Sequence, residues 1–374
     1  MSNIKICSRC VMDESADEIE FDEEGVCNFC KEYEDRVKNE MFEDKEKALK
    51  ELVIKIKEEG KDKPYDCIIG VSGGVDSSFV AHIVKEHGLR PLAIHLDNGW
   101  NSELAVSNIE KLLNQLDIEL YTHVVNWNEF KDLQKSFIKS SLRNLEIPTD
   151  HAIGALLLQM ANRYNIRYIL NGSNLVTEGI LPLSWVGRNI DHRLLTSVHK
   201  EFGTQKLKTY PSVRLTEFAY YILVKKIKYI PFLNYVEYNK EDAISFLEER
   251  YGWRRYAGKH FESIFTRFYQ GYMFPEKYGI DKRKAHLSTL IMSGQMSRDD
   301  AKQELLHSPY GEGNENLIEE DIEYVLKKLD FTKEEFDKIM KERPKKTTDY
   351  SSSDFLFDGL KPYMNRLKKI AKRA

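Results

Sequence analysis

Two groups of residues have types and spacings suited to chemistry: the run Ser72-Gly73-Gly74-Val75-Asp76-Ser77, and the cysteines Cys7, Cys10, Cys27 and Cys30. The first lies in CIIGVSGGVDSSFVAHIV, residues 67–84, which begins apolar and resumes after two glycines as an amphipathic pattern. That order predicts a buried strand, a tight loop and the first turn of a helix. Such a junction aims backbone N–H groups at an anion. Glycines let the backbone come close, and the hydroxyls of Ser72, Ser77 and Ser78 add donors. Asp76 at the helix start can cap it and help place Mg²⁺.

The loop lacks the lysine that closes a Walker A motif, and the dinucleotide fingerprint is absent. It resembles the PP-loop of ATP pyrophosphatases, S-G-G-x-D-S, at every fixed position. That resemblance implies ATP held by Ser72, Gly73, Gly74, Val75, Asp76, Ser77 and Ser78, and cleaved between its α- and β-phosphates. LAIHLDNGW then resembles the adenosine side of such a site, placing Asp97, Asn98 and Gly99 near the nucleotide. YILNGSNLVTEG resembles the second nucleotide turn through Gly172, Ser173 and Asn174. By the same comparison Thr177 and Glu178 join Asp76 on Mg²⁺, with an ordinary helix start as the alternative.

Cys7-x-x-Cys10 and Cys27-x-x-Cys30 form a four-ligand pattern. Four thiolates in two knuckles suit a closed tetrahedral Zn²⁺ site that contributes folding energy rather than Lewis acidity. Spacing alone leaves an iron–sulfur cluster open. The fifth cysteine, Cys67, starts an apolar strand and reads as a small buried hydrophobe.

These groups need a scaffold. The 374 residues are 41% hydrophobic and 31% charged, as expected of a globular chain. Four segments are expected: a zinc module over 1–35, a linking helix over 36–62, an α/β ATP-binding domain over 63–210, and a mostly helical region over 211–374. Strands are predicted at 67–71, 92–96, 120–125 and 168–171, alternating with helices near 76–87, 102–116, 128–143 and 150–164. That alternation implies a doubly wound parallel sheet with ligands at the carboxyl ends of its strands. Helices are expected later near 212–228, 240–250, 259–270, 283–292, 297–306, 317–328, 332–341 and 354–371. With no signal-like run and no apolar run of membrane length, a cytoplasmic protein without membrane contact is expected.

The whole chain resembles the N-acetyl sugar amidotransferases of the WbpG/PseA type. The likeness rests on FDEEGVCNFC, SGGVDSS, HLDNGW, NGSNLVTEG, GKHFESIFTRFYQGY and GIDKRKAHLSTLIMSGQMSRDDA. It implies ATP-dependent conversion of a sugar acetamido group to an acetamidino group, on uronic or nonulosonic acids of surface polysaccharide or flagellin glycans. The amide oxygen would attack ATP, pyrophosphate would leave, and ammonia would then displace AMP. With no cysteine suited to glutamine hydrolysis, the ammonia is expected from a HisH-like glutaminase, with a HisF-like protein as a further partner. Asp76, Ser77, Lys259 and Arg267 are the expected catalytic groups. Arg188, His192, Arg193 and His260 are expected to meet the acidic sugar, His260, Ser263 and Arg267 sharing one helical face. Trp185 is assigned either to a sugar ring or to the core. The alternative is a PP-loop tRNA-thiolation enzyme. A net charge of −4 and a pI near 6.3 argue against it and against nucleic-acid binding generally.

Overall fold

The computed structural model describes residues 4–188, 190–258, 261–311 and 313–354. The chain enters through α1 (Asn28–Glu40) and α2 (Lys45–Gly60). It then alternates β1 (Cys67–Gly70), α3 (Val75–Glu86), β2 (Pro91–Asp97), α4 (Glu103–Leu116), β3 (Glu119–Val124), α5 (Trp127–Lys139), α6 (Ile147–Arg163) and β4 (Tyr168–Asn171). Short helices α7 (Leu175–Glu178) and α8 (Leu183–Val186), then α9 (His192–Phe202) and α10 (Leu215–Ala219), lead to β5 (Lys228–Pro231). Beyond lie α11 (Lys240–Tyr251), α12 (Ile264–Phe268), α13 (Phe274–Tyr278), α14 (Arg283–Met292), α15 (Arg298–Glu304), α16 (Glu315–Leu329) and α17 (Lys333–Lys341).

All five strands are parallel, in the order β3-β2-β1-β4-β5. Successive residues of a strand point to opposite faces. Ile68, Leu92, Ile94 and Ile169 therefore join one core with α5, α6 and α9, while Cys67, Ile69, Ala93 and Leu170 join another with α3, α4 and α11. Helices cover both faces, as expected of a doubly wound sheet. The strand order reverses between β1 and β4, the switch point at which such sheets bind ligands.

The helix expected over 212–228 is corrected. α10 passes into a π-helical turn at Tyr220–Val224, the backbone turns at Lys226 with φ +56°, and residues 228–231 pair with β4 as an edge strand. A four-residue strand ending in proline gives little alternation to read, and an edge position tolerates the missing N–H. The single linking helix is two helices, broken where Asp44 accepts the Lys47 N–H at 2.9 Å. The helix expected from 259 begins at Ile264, with Ser263 as its cap. Ser263 thus caps the helix that carries Arg267 rather than sitting within it, while His260 and almost all of the C-terminal helix expected at 354–371 lie outside the described residues.

Two carboxylates of α5 fix the chain after α9. Glu129 accepts the N–H groups of Lys208, Thr209 and Tyr210 at 2.8–3.1 Å, and Asp132 those of Thr204 and Gln205. Burial raises the pKa of each, but these hydrogen bonds together outweigh it and hold both below the ordinary carboxylate range. A depressed folded-state pKa contributes stability above the unfolded value and loses it as pH falls through the folded value. Glu129→Ala strands three amides and is expected to cost roughly 2–4 kcal/mol in urea unfolding at neutral pH. Glu129→Gln should flatten the loss of stability of the wild type on acidification below the ordinary carboxylate range.

Candidate functional site

The loop after β1 is built to hold an anion. Gly73 has φ +84°, and a Cβ there would meet the Ala105 carbonyl at 2.8 Å. The Gly73 carbonyl is turned away from the loop's mouth and held by Trp253 Nε1–H at 3.2 Å and Tyr256 O–H at 2.9 Å. Asn108 of α4 steadies this brace by donating to Tyr256 Oη and to the Arg254 carbonyl. Gly74 caps α3, so the N–H groups of Val75, Asp76 and Ser77 have no intrahelical acceptor. Ser72 and Ser77 hydroxyls lie 3.3 Å apart, and the Gly74 N–H donates to Ser72 Oγ. Ser78 is buried and the Val75 side chain packs into the core, so the side chains of these two help give the loop its shape.

The turn after β4 comes directly against this helix start. A Cβ on Gly172 would lie 2.8 Å from Asp76 Cβ and 3.1 Å from the Ser77 nitrogen. Asn174 caps α7 through the Thr177 N–H at 2.8 Å, and its own amide reaches the Gly172 carbonyl. Ser173 is exposed. Thr177, expected on Mg²⁺, is 1% exposed and its hydroxyl donates to Asn174 Oδ1, which makes it part of the cap. Asp76 and exposed Glu178 both act on Tyr238, whose hydroxyl donates to Asp76 Oδ1. Burial, then these two carboxylates, push the Tyr238 hydroxyl far above its ordinary value, so it stays a donor. Asp76 and Glu178 thus both face the Tyr238 hydroxyl. At the end of β2, Asp97 accepts the Gly99 N–H at 2.9 Å, and buried Asn98 donates to Thr149 Oγ1 at 3.0 Å, tying this turn to α6.

A cavity of about 650 Å³ opens beside Ser173, Asn174, Thr177 and Glu178. Its far wall carries Arg267, Gln270, Lys282, Arg283, His286 and His307. Arg267, expected as catalytic, lines it with its guanidinium gripped in two hydrogen bonds by buried Asp321, at 2.6 and 2.7 Å. Arg283 is held by Asp281 and by the carbonyls of Glu304 and His307. Lys282 is held less closely, 3.7 Å from Glu146.

Several expected substrate residues lie elsewhere. Trp185 is 0% exposed and its indole N–H donates to the Ser15 carbonyl, so it packs the core and offers no face to a sugar. Arg188 pairs with Asp354 in a second cavity, and His192 and Arg193 sit on α9; none of the three lines the cavity beside α7. Lys259 and His260 lie outside the described residues. Sequence reading missed Tyr238, Trp253 and Tyr256. Their one signal is an aromatic cluster after β5, which also suits a core.

The four N-terminal cysteines converge, each 0% exposed, with Sγ atoms all within 4.8 Å of one another and closest pairs at 3.7–3.9 Å. Four sulfurs about 2.3 Å from one tetrahedral zinc stand about 3.8 Å apart, which these residues match. The N–H groups of Cys10 and Cys27 point at Cys7 Sγ and that of Met12 at Cys10 Sγ, as thiolates require. Among the described residues no carboxylate or histidine joins the cluster, so its possible ligands are four sulfurs.

Two outcomes are expected. Elemental analysis of freshly purified protein should give one zinc per chain without labile sulfide, and Cys27→Ser should lose both the metal and cooperative thermal unfolding. Tyr238→Phe removes the donor to Asp76. It should cost about 1–2 kcal/mol of stability and slow pyrophosphate release roughly tenfold while ATP still binds.

Residues 262–368 match the family model described as LPS biosynthesis protein WbpG-like, C-terminal domain. An uncharacterized protein of Methanocaldococcus jannaschii is 22% identical over 71% of this chain and 80% of its own length. The tRNA-specific 2-thiouridylase MnmA of Desulfosudis oleivorans is 41% identical over 51 residues, 14% of either chain. Among solved structures, an NH3-dependent NAD synthetase from Campylobacter jejuni aligns with TM-score 0.30 and 16% identity, over 56% of this chain and 85% of that one. A likeness at that score carries no argument. The weight rests on the C-terminal match together with the S-G-G-x-D-S turn at the switch point of a parallel sheet: the chain is similar to WbpG-like proteins over residues 262–368 and carries a PP-loop-like turn upstream of them.

Proposed function

We propose that this protein is an ATP-dependent amidotransferase that turns a sugar acetamido group into an acetamidino group. The observation that carries the reading is the cavity. It opens beside the second nucleotide turn, and its cationic wall is built by the WbpG-like segment, residues 262–368. An acidic sugar lying there meets Lys282, Arg283 and His286 and brings its amide oxygen toward ATP on the two turns. Adenylation replaces an oxygen that leaves poorly with AMP, which leaves well. The protein's part is positioning and charge neutralisation.

The nitrogen comes from outside this chain. Cys7, Cys10, Cys27 and Cys30 are committed to the cluster, and Cys67 is 0% exposed with its thiol pushed up by burial, so none suits glutamine hydrolysis. A HisH-like glutaminase, with a HisF-like protein, is the partner this reading requires. The same buried cysteines leave a tRNA-thiolation enzyme without a reachable sulfur carrier.

The test is mass spectrometry of acetamido-sugar acids incubated with protein, ATP, Mg²⁺ and a nitrogen source. With ammonium salts the isolated protein should give a product lighter by the difference between O and NH, increasingly well as pH rises. Glutamine should support the reaction only once a HisH-like partner is added. Efficient glutamine use by the single purified chain would falsify this division of labour.

A further inference from the structure

A carboxylate stands against the phosphate loop and has no part in the account so far. The point where a Cβ on Gly74 would sit lies 3.4 Å from Ser72 Oγ and 3.7 Å from Glu262 Oε1. Glu262 is thus beside the residue that caps α3 and near a hydroxyl that the loop offers to an anion. Its charge also reaches the brace behind the loop. Burial first, and then Glu262, hold the Tyr256 hydroxyl above its ordinary value.

The backbone on both sides of this carboxylate is pinned. The Ser102 N–H donates to the Glu262 carbonyl and the Ile264 N–H to the Trp100 carbonyl, each at 2.9 Å. Asn101 and Ser263 form an antiparallel bridge between them. Ser263 then caps α12 by accepting the Thr266 N–H at 3.3 Å. Just upstream, Ala257, Gly258 and Phe261 line the sugar cavity. One short segment therefore touches the turn after β2, the phosphate loop and the cavity.

A loop that gathers N–H groups and hydroxyls for phosphate has a negative charge fixed next to it. Like charges a few ångström apart repel strongly near a protein surface. We propose that Glu262 makes the phosphate loop selective for a nucleoside triphosphate that carries a divalent cation, and turns away the metal-free anion. This rests on the reading of the loop as an ATP site. With a divalent cation between phosphate and carboxylate, the repulsion becomes attraction, and carboxylate oxygens are donors that Mg²⁺ favours. Asp76 is a second carboxylate at the same helix start. The selection serves the proposed reaction, because metal-free ATP on the loop would block the site while leaving the charge of the departing pyrophosphate uncompensated. A purely local role, in which Glu262 only favours the start of α12, would change stability and leave the metal dependence of binding untouched.

The experiment is calorimetric titration of ATP into the full chain, once in excess Mg²⁺ and once in EDTA. Sugar and nitrogen source are omitted, so no turnover enters. The wild type should bind ATP much more weakly in EDTA. Glu262→Gln keeps the size of the side chain and removes its charge. It should tighten the binding of metal-free ATP roughly tenfold or more, with an unchanged thermal midpoint. That gain should shrink as ionic strength rises. Glu262→Asp keeps the charge and should stay near the wild type in EDTA. Equal Kd values for the wild type and Glu262→Gln in EDTA overturn the proposal. So does a Glu262→Gln protein that loses affinity only in Mg²⁺, which would make the residue a metal ligand and no barrier. A parallel loss of affinity in both conditions with lowered thermal stability overturns it too, by making the residue structural. No ATP binding by the wild type in either condition overturns the reading of the loop beneath it.

Discussion

Gly172 lies so close to the first turn of α3 that any side chain would strike Asp76. This contact joins the two turns at the switch point, and the rest of the site is arranged around it. β1 and β4 are neighbours in the sheet, so their loops leave from adjacent points. Only an absent Cβ lets the second loop rest on the helix that the first begins. Tyr238 then reaches the Asp76 carboxylate from beyond β5, while Trp253 and Tyr256 hold the Gly73 carbonyl. The anion site is therefore fixed by side chains well over a hundred residues away in sequence.

The cavity depends on a second set of joints. Its near wall hangs on α7 and the chain after it, and its far wall on α14. His286 bonds the Thr177 carbonyl, and Thr289 Oγ1 accepts the Ile180 N–H. The cysteine module then clasps both sides. Arg36 reaches the Gly179 carbonyl, and Trp185 of α8 reaches Ser15. On the other side Lys284 pairs with buried Asp13, and Val11 N–H bonds Ser288 Oγ. A cluster of four buried cysteines thus shapes both sides of the cavity through packing.

What the sequence showed follows from how local each signal is. The S-G-G-x-D-S turn, the four cysteines and four of the five strands are written in short runs, because apolar strand residues and special turn residues are chosen by their immediate geometry. β5 was hidden because four edge residues behind a π-helical turn carry no period. Trp185 showed both of its possible uses equally, and only burial decides between them. Arg267 read as a catalytic group, and nothing nearby in sequence showed its partner, Asp321, which lies 54 residues on.

The order of synthesis gives the cysteine module one more property. Arg298 donates to the carbonyls of both Cys7 and Cys10, so an early-made segment docks on a much later one. At about 5–20 residues per second, some 300 residues of translation separate them by roughly 15–60 s. A metal ion bound within the four-cysteine cluster would keep these thiols from oxidation and from stray pairing while the rest of the molecule is still on the ribosome.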